Sequence, residues 1–153
     1  MQRDTSPRIK IAFRLEQDED GWPPASWELL WAIPGSGDTA ELDNIPFFAK
    51  GVAVGDLVAF SRDGDQLTFA GVLLPGGHST VRVIMYESGQ TAATREALQA
   101  MGCETEGSHL PSLFAVDVPP NADYRRVIEF LNERSAANVL EYEEGAVRHE
   151  LGT

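Results

Sequence analysis

One cysteine in 153 residues, Cys103, excludes an internal disulfide and is compatible with a reducing compartment. No stretch approaches the roughly 20 consecutive apolar residues that a membrane-crossing helix requires. Met1 to Arg8 is polar and lacks the apolar run of a signal peptide, so the cytoplasm is the expected location. Basic residues are scarce and scattered. The chain has 12 Lys and Arg against 24 Asp and Glu, a formal net charge of −12, and no basic cluster larger than Arg125-Arg126. Residues 1–77 hold 12 acids and 6 bases, and residues 78–153 hold the same numbers. Nucleic acid and anionic membrane surfaces are therefore unexpected partners, because both demand a positive face. Uniform acidity serves solubility, and it also suits a basic protein as partner.

Signatures of chemistry are equally sparse. Cys103, His78, His109 and His149 are far apart in the chain, with neither Cys-x-x-Cys nor His-Glu-x-x-His spacing, so no metal site is expected. There is no Gly-x-Ser-x-Gly elbow, phosphate loop or dinucleotide fingerprint, and no cofactor is implied. Asp18-Glu19-Asp20-Gly21 is too short and wrongly spaced for a calcium loop. Cys103 follows a helix-closing Gly102 at a strand start, a position that packs a thiol into the core rather than exposing a nucleophile.

What is present is an ordinary globular balance, 42% hydrophobic and 24% charged. A chain of this length buries roughly two-thirds of its unfolded surface, enough for one core or two small lobes that share one. Ile9, Ile11, Phe13 and Leu15 alternate with Lys10, Ala12 and Arg14, which predicts a half-buried strand over Arg8–Glu16. Gly21-Trp22-Pro23-Pro24 reads as a loop. Further strands are predicted at Trp27–Ile33, Thr39–Asn44, Asp56–Ser61 and Gln66–Leu74, separated by Pro34-Gly35 and Asp63-Gly64 turns. These five make a small antiparallel β-barrel or curled sheet over residues 8–75. After Pro75-Gly76-Gly77 the period changes. Val81–Tyr86, Cys103–Glu106, Leu113–Val118 and Val139–Glu143 read as strands. A helix capped by Thr91 runs to Met101, and a second, capped by Asn121, carries Tyr124, Val127, Ile128 and Leu131 on one stripe. The order βαββαβ over residues 78–150 predicts a ferredoxin-like α+β lobe, each helix covering one face of an antiparallel sheet, with the two lobes forming one compact unit.

Three groups of residues are candidates for function. In Gly76-Gly77-His78-Ser79-Thr80-Val81-Arg82, paired glycines turn backbone N–H groups inward, His78 offers an imidazole, Ser79 or Thr80 a hydroxyl donor, and Arg82 a planar fork to a carboxylate or phosphate. The same residues also read as a plain joining turn in which Arg82 pairs with an acid. Glu28 interrupts an apolar run, where an acid is costly unless paired or turned to solvent; with Asn44 and Asp56, both at turns, it forms a candidate acid–base group whose mutual distances the sequence leaves open. Trp22, in its proline-rich loop, is either an anchor for a partner or a plug over the mouth of the barrel.

Gly21-Trp22-Pro23-Pro24, Glu28-Leu29-Leu30-Trp31-Ala32, Asn44-Ile45-Pro46-Phe47-Phe48-Ala49-Lys50-Gly51, Gly55-Asp56, Gly77-His78-Ser79-Thr80-Val81-Arg82 and Tyr142-Glu143-Glu144 together resemble a family of bacterial proteins known as a domain of unknown function. The resemblance spans most of residues 9–149 and implies a single architectural unit. It implies no activity. The favoured expectation is a non-enzymatic protein-binding module of the inhibitor or immunity type, its acidic face set against a basic partner. The alternatives are a binder of, or enzyme for, a small anionic ligand between the lobes around His78 and Arg82, and a structural protein that forms homodimers through an exposed sheet edge.

Overall fold

The computed structural model describes residues 7–150; the polar start preceding Pro7 lies outside the described residues. Alternation sets the first sheet. In β1 (Ile9–Arg14), Ile11 and Phe13 face inward while Lys10 and Arg14 face solvent. β2 (Trp27–Pro34) pairs with it antiparallel, placing Leu30 opposite Ile11 and Glu28 opposite Phe13. The apolar run is thereby split. Leu30 and Ala32 are buried, whereas Trp27, Leu29 and Trp31 point outward with 42, 53 and 43% of their surface exposed. β3 (Thr39–Leu42), β4 (Leu57–Asp63) and β5 (Gln66–Leu74) follow in antiparallel succession, and Thr68 of β5 pairs in parallel with Ala12 of β1. β3 stops at Leu42, short of the expected Asn44, because the Asp43 N–H and the Asn44 side chain both turn back to the Trp31 backbone. The interior of this sheet is filled by Ile11, Phe13, Leu30, Leu42, Val58 and Phe60.

The second sheet has the order β7–β8–β6–β9, all antiparallel: β6 (Ser79–Met85) at the centre, β8 (Leu113–Val118) and β9 (Leu140–Ala146) beside it, β7 (Glu104–Gly107) at the edge. Along β6 the side chains divide by parity. Val81, Val83 and Met85 join Leu98 of α1 (Thr91–Ala100) and Tyr124, Val127 and Leu131 of α2 (Tyr124–Ala136) in one apolar layer. Each fully buried Leu or Val of that layer is worth roughly 1.5–3 kcal/mol. Thr80 and Arg82 face the opposite way, toward the connection between β3 and β4.

Both helices therefore lie on the same face, which corrects the expectation of one helix per face. The reason is chemical. The other face carries Thr80, Arg82 and Asp117, which an apolar helix stripe could not cover. The chain is α+β; its described residues form a five-stranded sheet, a four-stranded sheet and two α-helices.

Two predicted caps are also corrected. α2 starts three residues after Asn121, and Asp123 caps it by accepting from the Arg126 N–H at 3.2 Å. α1 grows out of a short 3-10 turn, Ser88–Gln90, so Thr91 is already helical and caps nothing. The C-terminal ends follow the expected chemistry. Gly102 at φ +94° closes α1, with Cys103 N–H donating to Leu98 O and Gly102 N–H to Gln99 O, and Asn138 at φ +60° closes α2 in the same manner.

Candidate functional site

Glu28, His78, Arg82 and Trp22 contact the connection 43–56, to which Asn44 and Asp56 belong and which lies between the two sheets. Glu28, at the inward end of β2, accepts from three successive backbone N–H groups: Phe47 at 2.7 Å, Phe48 at 3.1 Å and Ala49 at 2.8 Å. That carboxylate is neither solvent-facing nor paired with another acid; it shapes the backbone. Its work leaves the carbonyls of Phe48 and Ala49 turned to Arg82, which donates to them at 3.1 and 3.4 Å. Glu28→Gln replaces one acceptor oxygen by an NH2 group that faces N–H donors. It is expected to destabilise the protein by roughly 2–3 kcal/mol in a urea titration, with m unchanged.

Asp56, fully buried, holds a different corner. It accepts from Ala53 N–H, Gly76 N–H and the Arg148 guanidinium at 3.0, 3.0 and 3.1 Å. Asn44 accepts from Trp31 N–H at 3.1 Å, a turn function. The Glu28, Asn44 and Asp56 group thus does not converge on a common substrate position.

His78 is engaged by Asp117. Its Nδ1 lies 2.9 and 3.0 Å from the two oxygens of buried Asp117, and its ring packs beside Gly55. Burial raises the Asp117 carboxyl above its ordinary value, and the His78 contact opposes that shift. Ser79 sits 2.6 Å from His149 Nδ1, whose Nε2 donates to Pro119 O at 2.7 Å. Since a carbonyl only accepts, Nε2 carries the proton and Nδ1 receives the Ser79 hydroxyl. This has the outline of a nucleophile and base, yet Ser79 is completely buried, and its Oγ also accepts from Arg148 N–H at 2.8 Å. The pair clasps residues 148–149 to β6.

Arg82 and Trp22 both line a cavity of useful size. A cleft of about 500 Å³ opens where the end of β1, the 15–23 loop and segment 48–50 meet β6 and β9. Four aromatic rings and six charged side chains line it. Phe13 and Phe69 stack at 4.6 Å, and Trp22 meets Phe48 edge-on at 5.6 Å. Half-buried Trp22 borders this cleft and a neighbouring one of about 330 Å³ that also includes Arg82 and Glu143. Arg82 is 3% exposed, and its Nε has no hydrogen-bond acceptor. Burial lowers its pKa, against the pull of Glu143 and Glu28. Glu143 lies 3.8 Å from Arg82 and 2.8 Å from Lys50. An orphaned donor on a buried cation costs free energy wherever nothing fills it.

Sequence reasoning missed Asp117, Glu143 and His149 as site neighbours. The signal for Asp117 was available: an acid inside the apolar run Leu113–Val118, the same anomaly that drew attention to Glu28. Ser79 and His149 are 70 residues apart, and no local pattern joins them. Cys103 is buried as expected, and its thiol is pushed up to about 11 by that burial. Among the described residues no group of three or more His, Cys, Asp or Glu is arranged to hold a metal ion, and no helix is long and apolar enough to cross a membrane.

A family model described as a domain of unknown function, DUF4265, matches residues 28–142. A solved structure, described as the novel crystal structure of a hypothetical protein from Neisseria gonorrhoeae, is similar in fold. It superposes with a TM-score of 0.78 at 18% identity, covering 97% of this chain and 100% of that one. No curated protein matches the chain.

Proposed function

Because the chain belongs to the DUF4265 family, a domain of unknown function that lends it no activity, we propose from its chemistry that it is a binding protein for a small ligand bearing an anionic group. The ligand occupies the cleft between the sheets and meets Arg82. The observation that carries this reading is a nearly fully buried guanidinium on an aromatic cleft wall, with its Nε unanswered. Clefts at such junctions are a usual place for ligand sites. The site offers no base and nucleophile together, so the reading is binding without a chemical step. Two lobes, residues 8–75 as a closed small barrel and 78–150 as a ferredoxin-like unit, would form its walls as one compact cytoplasmic protein. The β1–β5 pairing and the order β7–β8–β6–β9 support that architecture.

The test is a thermal-shift panel of small organic carboxylates and phosphates on the unmodified protein. A ligand at 100 times its Kd raises Tm by about 5–10 °C for a chain of this size, and Arg82→Met should remove the shift. If no anion moves the Tm of the unmodified protein, the reading is wrong, whatever the variant does.

A second reading, the protein-binding module of inhibitor or immunity type, is favoured by the outward strip Trp27, Leu29 and Trp31. Net charge −12 suits a basic partner. The rim of the strip itself is basic, with Lys10 over the Trp31 ring at 4.7 Å and Arg14 opposite Trp27. The strip and the acidic surface would therefore engage different parts of that partner. Sedimentation at low and high salt separates a salt-sensitive complex from self-association through the strip.

A further inference from the structure

The cleft holds charges of both signs, and the way they are engaged narrows the ligand further. Its lining includes Arg14, Lys50 and Arg82, and against them Glu16, Asp18 and Glu143. A simple anion would gain from the first three and be repelled by the second three. Several of these groups are already engaged. Glu143 is held between Lys50 and Arg82. Asp18 accepts the Asp20 and Trp22 N–H groups of its own turn at 2.9 Å each. What remains without an ion pair among the described residues of the lining is Arg14, Glu16 and Asp18 on the exposed rim, and of these Asp18 alone is held by backbone N–H groups; the Arg82 Nε inside has no acceptor. Between them lie the Phe13, Phe69, Trp22 and Phe48 rings.

An inner cationic donor, an acid at the rim and an aromatic slot between them complement a molecule with a carboxylate, an ammonium group and a flat apolar body. We propose that the cleft takes a free α-amino acid or short peptide with an aromatic side chain. Its carboxylate meets Arg82, its ammonium group meets Glu16 at the rim, and its ring lies against Trp22 and Phe48. The volume, about 500 Å³, is within the range of small-molecule sites and accommodates a single residue or a dipeptide. A site that has buried a polar group for one partner rejects the analogue lacking it, because the group is then left unsatisfied. This inference rests on the cleft-binding reading above.

Three compounds that share a phenyl ring and differ in their charged groups test it: L-phenylalanine, 3-phenylpropanoate and 2-phenylethylamine, titrated calorimetrically into the full-length protein. L-Phenylalanine is expected to bind roughly ten- to a hundred-fold tighter than either relative. Glu16→Gln, at an exposed position that the fold does not need, should bring L-phenylalanine down to the level of 3-phenylpropanoate. Arg82→Met should bring it down to that of 2-phenylethylamine. If 3-phenylpropanoate matches or exceeds L-phenylalanine, the zwitterion assignment is overturned while anion binding at the cleft stands. Tightest binding by 2-phenylethylamine overturns both. If none of the three binds at millimolar concentration, the amino-acid class is overturned, and the thermal-shift panel decides separately whether the cleft binds anions at all.

Discussion

Asp56→Ala is expected to lower stability by roughly 3–5 kcal/mol, the cost of removing one partner from a buried, hydrogen-bonded charge pair. Asp56 is fully buried and satisfies three donors from three segments: Ala53 N–H on its own turn, Gly76 N–H after β5, and the Arg148 guanidinium beyond β9. Truncation orphans both backbone groups. It also leaves Arg148 with only the Gly51 carbonyl at 2.9 Å, in a place where its Nε already lacks a partner. Because the three donors come from both sides of the chain, the loss falls on the joint between the sheets rather than on either core. A urea titration at neutral pH should show the midpoint falling by more than 1 M for an m-value of 1–3 kcal/mol/M. Limited proteolysis should show new cleavage around residues 74–78 and 147–149. A change smaller than about 1 kcal/mol would mean that Asp56 merely decorates the turn.

Gly76→Ala is the second large effect expected. A Cβ at residue 76 would stand 2.5 Å from the Gly55 carbonyl oxygen and 2.7 Å from its carbon, and both are backbone atoms with no rotamer to move. Overpacking of flexible side chains costs about 1–3 kcal/mol. Backbone against backbone should reach at least the upper end of that range, because relief requires shifting either Asp56 or the chain entering β6. Gly89→Ala is the matched control. Its added methyl meets nothing within 4 Å and its φ is not positive, so it is expected to be neutral within about 0.5 kcal/mol. If Gly76→Ala melts with the control, Gly55 and Gly76 do not approach as described.

Both variants concern a joint that the sequence marked only indirectly. Strands and helices were legible because their periods are local. Ile11 and Phe13 alternate, and Val127 and Leu131 share a stripe, whatever the rest of the chain does. Glu28 was legible as an anomaly, since an acid among Trp27, Leu29 and Leu30 must be answered, though its answer, the Phe47–Ala49 backbone, comes from a connection with no periodic signal. The cleft was not legible. Phe13, Trp22, Phe48, Phe69 and Arg82 come from five separate stretches, and only the packing of one sheet on the other brings them together. His78 and Arg82 illustrate the same limit. Four residues apart and of matching parity, they invited a shared site, yet Asp117 draws His78 to the Gly55 side while Arg82 turns to Phe48. The choice between Asn121 and Asp123 as cap could not be made from residue type, since both cap well; the phase of Val127 and Leu131 against the sheet decides it.

The polar face of β6 has a consequence for the order in which this protein is made. All five strands of the first sheet lie before residue 75, so they leave the ribosome ahead of β6. β9, which flanks β6 and supplies Glu143 opposite Arg82, follows the other strands among the described residues. Arg82 and Thr80 thus follow, in order of emergence, the Phe48, Ala49 and Val52 carbonyls that receive them. The early-made half is the mould on which the late-made half closes.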